Sequence, residues 1–144
     1  MKNRIKVLVV LFFTTRDLVG GWSEFSAILK PSTIAGIGVF AVYDIEVSVQ
    51  VLPKFHPRES KISDIPAEFL NYCIFLDDEK CLCPKEFDRM EIGWYLNHSK
   101  NPNVEKRADG NLYTIRAIKA GEEILIDYNQ FNEPESLKEF YIKH

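Results

Sequence analysis

Short apolar segments separated by turn residues make up most of the chain, and no internal repeat or low-complexity tract interrupts them. Runs of a few residues rich in Val, Ile, Phe and Tyr, bounded by Gly, Pro, Asn and Asp, are typical of β-strands. The pattern therefore predicts a mainly β protein. The predicted strands are Ile5 to Phe13, Phe25 to Leu29, Gly38 to Tyr43, Val47 to Phe55, Tyr72 to Leu76, Lys80 to Cys83, Val104 to Lys106, Leu112 to Ile118 and Ile124 to Ile126.

The first of these strands follows a basic start, so a secretory signal is the alternative interpretation. The apolar run from Val7 to Phe13 is at the short limit for a signal, and no small-x-small cleavage site follows before Arg16 and Asp17. The run is also far too short to span a bilayer. We therefore expect a buried strand and no association with a membrane.

Two helices and one tight hairpin interrupt the strands. Pro66 and Pro134 each stand near the start of a helical pattern, where the missing N–H costs nothing. The second helix would end the chain with an apolar stripe that either packs on the core or covers a pocket; its members are Leu137, Phe140 and Tyr141. The Asp109-Gly110 step predicts a hairpin, because such a pair readily adopts the positive φ that a tight turn needs.

Length and charge limit the class of protein. A chain of 144 residues, 46% of them apolar, suits one ordinary core and therefore one domain. The net charge is −3 and the pI is about 5.6. Phosphate binding needs a basic surface, so we expect no direct partner among nucleic acids. A basic protein segment is the better match.

The chain has three cysteines, and the sequence suggests that they are free thiols. An odd number with Cys81 and Cys83 only one residue apart is a poor disulfide framework and favours a reducing compartment. Cys81 and Cys83 could supply two zinc ligands, but no matching Cys/His pair stands elsewhere at zinc-finger spacing. We therefore expect no metal site.

Candidate chemistry is concentrated in three segments. GIGVFA opens a predicted strand with Gly36 and Gly38, which let backbone approach a ligand closely. The third glycine and following helix of a dinucleotide-binding fingerprint are missing there. NHSKNPN, from Asn97, leaves an apolar segment through many hydrogen-bonding groups, and could be only a structural loop. IKAGEEILIDY ends a predicted strand with Asp127 and Tyr128.

In this order, within one small β-rich chain, the three segments resemble the SET domain of protein-lysine methyltransferases. The resemblance covers about Ile34 to Tyr128. It implies a β-clip-like fold of several small curled sheets, in which the second and third motifs meet through a pseudoknot-like threading, with short helices that include one at the C-terminus. It also implies S-adenosyl-L-methionine as the cofactor. The cofactor-binding residues that it implies are Gly36, Ile37, Gly38, Asn97, His98 and Tyr128.

The resemblance also assigns roles at the site. Asn97 would bond the methionyl end of the cofactor, His98 the adenine edge through its main chain, and Tyr128 would be the catalytic tyrosine. The lysine channel would be lined by Tyr95, Trp94, Ile126 and Phe131. The alternative is that Trp94 and Tyr95 are core residues, and for Trp94 the two interpretations are equally supported. Methyl transfer is an in-line displacement at a sulfonium carbon, so a dry channel must align the amine, and no strong protein base is obligatory.

Several positions depart from the family pattern. Lys100 stands where many members carry a cysteine, and no cysteine-rich segment follows Tyr128, so the C-terminal helix is our candidate for closing the channel. Ser48 stands at a position where the family usually has a turn glycine. Ile126 replaces a larger aromatic residue and would leave room for more than one methyl group. The insert at about 57–91 is short, as in stand-alone microbial or viral members.

The sequence predicts one SET domain over 1–144, with an N-terminal strand or extension at 1–24, the motifs at 34–128 and a helical tail at 129–144. Its function would be methyl transfer to the ε-amine of a protein lysine. A non-catalytic SET-like interaction module and a methyltransferase acting on a non-protein amine stay open.

We expect a cytoplasmic location, or delivery to a host cell or nucleus if the source is a pathogen. Exposed strand edges permit a homodimer. The clusters Asp77-Asp78-Glu79 and Glu122-Glu123 are expected to be solvated faces, though either could meet a basic substrate segment.

Overall fold

The computed structural model describes residues 21–142, and side chains as far as residue 138. The predicted strand from Ile5 to Phe13 and the side chains of Phe140 and Tyr141 lie outside the described residues. The strands are β1 (Ala27–Pro31), β2 (Ile37–Ala41), β3 (Gln50–Val51), β4 (Arg58–Lys61), β5 (Ile74–Phe75), β6 (Lys80–Cys83), β7 (Asn97–His98), β8 (Val104–Lys106), β9 (Leu112–Thr114) and β10 (Glu123–Ile126).

Seven strands form the larger sheet, in the order β1-β2-β10-β8-β9-β3, with β7 also paired to β10. Strand β10 is antiparallel to β2 but parallel to both β7 and β8. A strand that comes late in the chain is thus inserted between an early one and two middle ones. This insertion brings distant segments of the sequence to one place.

The smaller sheet has the order β4-β6-β5 and is antiparallel throughout. Strand β6 has the bounds that the sequence predicted. Strand β4, with the sequence RESK, was not predicted because it has no apolar alternation. An edge strand with one neighbour can be polar, since its pairing comes from main-chain hydrogen bonds rather than from burial.

Two clusters of buried side chains correspond to the two sheets. The larger cluster consists of Val39, Ala41, Ile45, Val51, Leu52, Leu96, Val104, Leu112, Ile118, Ile124 and Ile126. The smaller cluster consists of Ile65, Cys73, Cys81 and Cys83. Strand β10 alternates, because Ile124 and Ile126 are fully buried while Glu123 and Leu125 point to the other face.

The predicted long strand from Val47 to Phe55 is wrong in its extent, because only Gln50–Val51 pairs. Ser48 and Leu52 have φ values of 62° and 64°, and this left-handed backbone ends the strand on both sides. Ser48 thus holds the conformation for which glycine is favoured. The predicted hairpin is confirmed, since β8 and β9 pair through a turn in which Gly110 has φ 82°.

The helices are short, and the fold is mainly β as predicted. The helix predicted after Pro66 is a 3₁₀ helix, Ala67–Tyr72, and the other 3₁₀ helices are Ile62–Asp64, Phe87–Arg89, Ile92–Tyr95 and Tyr128–Phe131. The predicted C-terminal helix is confirmed as α1, Glu135–Ile142, directly after Pro134. Within 21–142, no helix is long and apolar enough to cross a membrane.

Candidate active site

Strand β10 joins the three sequence motifs. Its residue Ile124 is opposite Val39 of β2, which begins within the glycine loop (residues 36–38), and Leu125 is opposite Asn97 of β7. Asp127 and Tyr128 come directly after the strand. Hydrogen-bonded strands lie about 4.8 Å apart, so the three motifs are immediate neighbours.

Tyr128 is anchored at both ends of its side chain. Its hydroxyl donates a hydrogen bond to the carbonyl oxygen of Leu96, with an O–O distance of 2.5 Å. Its ring lies beside those of His98 and Phe131, with centroid distances of 5.2 Å and 6.1 Å. The hydroxyl therefore has a fixed position next to the carbonyl that precedes Asn97.

The Tyr128 hydroxyl is also strongly held in its neutral form. Burial, helped by the negative charges of Glu133 and Glu123, raises the pKa of Tyr128 to about 12. At neutral pH the group is a phenol that can donate and accept hydrogen bonds. It is not a phenolate that could act as a base.

His98 supports the segment that carries Tyr128. Its ring atom Nδ1 accepts a hydrogen bond from the backbone N–H of Tyr128, at 3.0 Å. An accepting Nδ1 places the proton of the neutral ring on Nε2. The Asp127 carboxylate lies 3.7 Å from the same nitrogen. The carboxylate accepts a hydrogen bond from the backbone N–H of Asn129. Asp127 thus caps the 3₁₀ turn that begins with Tyr128.

Asn97 is buried and connects the glycine loop to β10. Its amide nitrogen Nδ2 donates to the carbonyl oxygen of Ala35 at 3.0 Å and to Glu123 Oε1 at 2.8 Å, and the carbonyl oxygen of Ile37 lies 3.4 Å away. All three neighbours are acceptors. They fix the orientation of the amide, because a flipped amide would bring its oxygen against other oxygens.

The glycine loop has open space on one side and a close contact on the other. A Cβ atom built on Gly36, which has φ 45°, would meet nothing within 4 Å. A Cβ on Gly38 would come within 2.1 Å of Glu123 Oε1. Ile37 between them is exposed. The loop therefore offers bare backbone and room for a ligand beside Asn97.

These features fit the amino-acid end of S-adenosyl-L-methionine. Among the described residues, no donor reaches the side-chain oxygen of Asn97, and the atom is not fully buried. An accessible oxygen beside open backbone suits a ligand that carries an ammonium group. Gly36, Ile37 and Gly38 would contribute main-chain groups, and Asn97 and His98 would flank them.

The four predicted channel residues occupy different environments. Trp94 packs edge-on against Phe55 at 5.5 Å, and its buried indole N–H has no hydrogen-bond partner among the described residues. Tyr95 lies against Tyr72 at 5.9 Å. Ile126 is fully buried in the larger core, whereas Phe131 lies next to the Tyr128 ring. Their role as channel walls stays a prediction.

Two carboxylates near Tyr128 were not recognised in the sequence. Glu123 was expected on a solvated face with Glu122, but it is half-buried and bonded to Asn97 and Ser32. Strand alternation could have indicated this, because Glu123 shares a face with Leu125. Glu133 is buried and accepts from the backbone N–H of Phe75. No sequence pattern pointed to that contact.

Outside the site, the three thiols are buried and unpaired. Burial raises the pKa of Cys73 to about 12, and burial is also the main cause that raises the pKa of Cys81. Among the described residues, no group of Cys, His, Asp or Glu is arranged to hold a metal ion. A cavity of about 510 Å³ beside β3 is lined by Trp22, Val49 and Leu52 among others, and its lining includes no residue of the three motifs.

Comparison with known proteins agrees with the geometry. The family described as the SET domain matches residues 35–129. No curated protein sequence matches significantly. One solved structure, from Plasmodium falciparum and titled as a candidate histone methyltransferase, is 23% identical over 74% of this chain and 95% of its own, with a TM-score of 0.48. The family match spans well over half of the chain and includes all three motifs. The chain therefore belongs to the SET-domain family, which supports methyltransferase activity in general.

Proposed function

We propose that this protein transfers a methyl group from S-adenosyl-L-methionine to the ε-amine of a lysine in a protein. One observation carries the proposal: the Tyr128 hydroxyl, the Leu96 carbonyl and the Asn97 side chain are held together beside an open glycine loop. A group that orients an amine and a group that binds an amino-acid end are thus neighbours. Family membership over residues 35–129 supports the same activity.

The cofactor would supply a methyl group activated by the positive charge on its sulfur. The backbone at Gly36, Ile37 and Gly38, together with Asn97 and His98, would hold it. Main-chain groups suit this task because the sheet already sets their positions. Little conformational entropy is therefore lost when the cofactor binds.

Tyr128 and Leu96 would act on the amine. The phenol donates to the Leu96 carbonyl, and a hydroxyl oxygen is also able to accept a hydrogen bond. A hydroxyl oxygen and a carbonyl oxygen can orient an amine and accept weak C–H···O contacts from a methyl group. Since the pKa of Tyr128 is raised to about 12, its hydroxyl orients the amine and does not take the proton. An apolar channel and the positive charge on the cofactor's sulfur would each lower the pKa of a lysine amine, which would then lose its proton to water.

The choice of a basic protein segment rests on charge. The chain carries 21 acidic and 18 basic residues, and Glu123 and Glu133 are close enough to Tyr128 to influence its pKa. Negative potential at a site attracts a cationic substrate. We extend the proposal to a reducing compartment such as the cytoplasm, where the three unpaired thiols stay reduced.

Calorimetric binding of S-adenosyl-L-methionine tests the cofactor assignment. We expect saturable binding to the wild type, and binding weaker by about tenfold or more for Asn97→Ala, because a buried amide with several partners is lost. Asn101→Ala is the matched control, since Asn101 is exposed in the same loop and, within the described part of the chain, only its backbone N–H is hydrogen-bonded. Well-folded wild type that binds no cofactor would favour a non-catalytic interaction module.

Mass spectrometry of products distinguishes protein lysine from other amines. Wild-type protein is incubated with methyl-labelled cofactor and either basic proteins or small polyamines. Label in lysine of the proteins supports the proposal, and label only in polyamines contradicts it. The number of methyl groups per lysine tests whether Ile126 leaves room for more than one.

A further inference from the structure

We propose that Glu123 is a positioning residue for the cofactor: it fixes the Asn97 amide so that the amide oxygen faces the bound amino-acid end. The inference rests on the proposed function, because it concerns the same binding site. Glu123 itself would not contact the cofactor. Its effect would pass through one hydrogen bond, the 2.8 Å contact from Asn97 Nδ2 to Glu123 Oε1.

The contacts around Asn97 Nδ2 make Glu123 the decisive partner. An amide nitrogen carries two protons, and three oxygens surround this one. The contact with Glu123 is the shortest and is made to a charged acceptor, which strengthens it. The Ile37 contact, at 3.4 Å, is the longest. Without Glu123, one proton would keep only that weak partner, and the amide could rotate.

Glu123 is itself held rigidly. Its second carboxylate oxygen accepts from the Ser32 hydroxyl at 2.9 Å, and its backbone carbonyl accepts from the buried Asn103 amide at 2.8 Å. The carboxylate occupies the space that a side chain at position 38 would need. Gly38 thus has a second purpose besides exposing backbone, since it leaves room for this carboxylate.

The fixed amide should favour ligands that carry a hydrogen-bond donor at the end next to Asn97. A fixed amide keeps its oxygen turned away from the three acceptors around Nδ2, and a carbonyl oxygen accepts hydrogen bonds but cannot donate them. A ligand ammonium would therefore be bound there, whereas a ligand without that group gains nothing from the arrangement. Loss of Glu123 should weaken binding only of ligands that carry the amino-acid end.

The test compares two ligands with a set of variants by calorimetry. S-adenosyl-L-methionine carries the amino-acid end, and methylthioadenosine has the same nucleoside without it. For Glu123→Ala we expect about tenfold weaker binding of the first ligand and a change of less than about twofold for the second. Glu123→Gln should restore binding, because a glutamine oxygen can still accept from Asn97 while its amide donates to Ser32.

Glu122→Gln is the matched control, because it removes the same charge one residue away from the network. Glu122 bonds Arg116 and the backbone N–H of Lys119, and no bond joins it to Asn97. Its binding of both ligands should match the wild type. Thermal unfolding of each variant identifies any loss of fold.

Four results would overturn the inference. Equal weakening of both ligands by Glu123→Ala would make the residue merely structural. Glu123→Gln as weak as Glu123→Ala would mean that the charge acts directly on the cofactor. Unchanged binding of S-adenosyl-L-methionine by Glu123→Ala would remove the role while leaving the proposed function intact. Wild type that binds neither ligand would overturn the proposed function as well.

Discussion

At the scale of single residues, the Tyr128 hydroxyl combines a fixed position with a strongly neutral character. Its bond to the Leu96 carbonyl sets the position, and burial with two nearby carboxylates sets the charge state. The same surroundings that keep the phenol protonated should also make folding depend on alkaline pH. That dependence can be measured without knowing the substrate.

We predict that the protein loses the stabilisation provided by the protonated Tyr128 side chain as the pH rises above about 10. In the unfolded chain its pKa is the ordinary 10.0, whereas in the folded chain it is about 12. Because the pKa is raised in the folded state, the contribution of Tyr128 to the free energy of unfolding is fully present below about pH 10 and is lost as the pH rises through about 12. By about pH 11 the loss is about 1 kcal/mol.

Urea unfolding of wild type and Tyr128→Phe between neutral pH and about pH 11 provides the measurement. The variant lacks the ionisable group, so the difference in unfolding free energy between the two proteins should shrink by about 1 kcal/mol at the alkaline end. A difference that stays constant over this range would show that the tyrosine is not held neutral by the fold.

The sequence identified some residues of the candidate site but not others. Tyr128, Asn97 and His98 were recognised because they stand in motifs with short, fixed spacing. Glu123 was not, because its contacts with Ser32 and Asn97 join positions that are far apart in the chain. A carboxylate after a turn usually faces water, and only the pairing of β10 shows that this one does not.

At the scale of elements, strand β10 depends on a side chain as well as on its neighbouring strands. Asn103 is fully buried, and its amide donates to the Glu123 carbonyl and accepts from the Leu125 N–H, both at 2.8 Å. The side chain thereby satisfies two backbone groups of β10. Asn103 supports the strand that carries the site.

We predict that Asn103→Ala destabilises the fold by about 2 to 4 kcal/mol, because two buried backbone groups of β10 lose their partner. Chemical unfolding monitored by tryptophan fluorescence gives the value. Asn101→Ala, two residues away and exposed, should change stability by less than about 0.5 kcal/mol. Similar effects for the two variants would contradict the role of Asn103.

Element boundaries were predictable where local chemistry decides them. Strands β6 and β8 and the hairpin at Gly110 follow from their own residues. The short extent of β3 does not, because the positive φ of Ser48 and Leu52 is imposed by contacts with the rest of the fold. Thr114 illustrates this, since its hydroxyl bonds the backbone at Glu46 and Val49.

At the scale of the whole molecule, the two sheets have separate cores, and the smaller core is built around thiols. Cys81 and Cys83 are fully buried, and Cys73 nearly so. Burial raises the pKa of Cys73 to about 12, so this thiol stays protonated at neutral pH. A protonated, buried thiol is neither a good nucleophile nor a ready metal ligand.

We predict that the three thiols of the native protein react slowly with a disulfide reagent at about pH 8, and that they react at once in concentrated guanidinium. Absorbance of the released thiolate measures both rates. A reaction of the native protein as fast as that of the unfolded chain would show that the smaller core is open to solvent.

The fold class was predictable from the spacing of short apolar runs, but the topology was not. The parallel pairing of β10 with β7 and β8 involves only a few residues. Strands this short have no periodicity of their own, and their partners are chosen by packing of the whole molecule. Family resemblance supplied what the pattern of residues could not.

The central claim is that Tyr128 promotes methyl transfer to protein lysine. The most direct measurement is transfer of labelled methyl from S-adenosyl-L-methionine to basic proteins by wild type, Tyr128→Phe and the control Tyr113→Phe, whose hydroxyl bonds Asp109 on an exposed hairpin. We predict that the wild type forms methyllysine. For Tyr128→Phe the rate should fall by a factor of about 10² or more while cofactor binding is retained, and Tyr113→Phe should change the rate little. Transfer by Tyr128→Phe at the wild-type rate, or no transfer by wild type that binds the cofactor, would contradict the account.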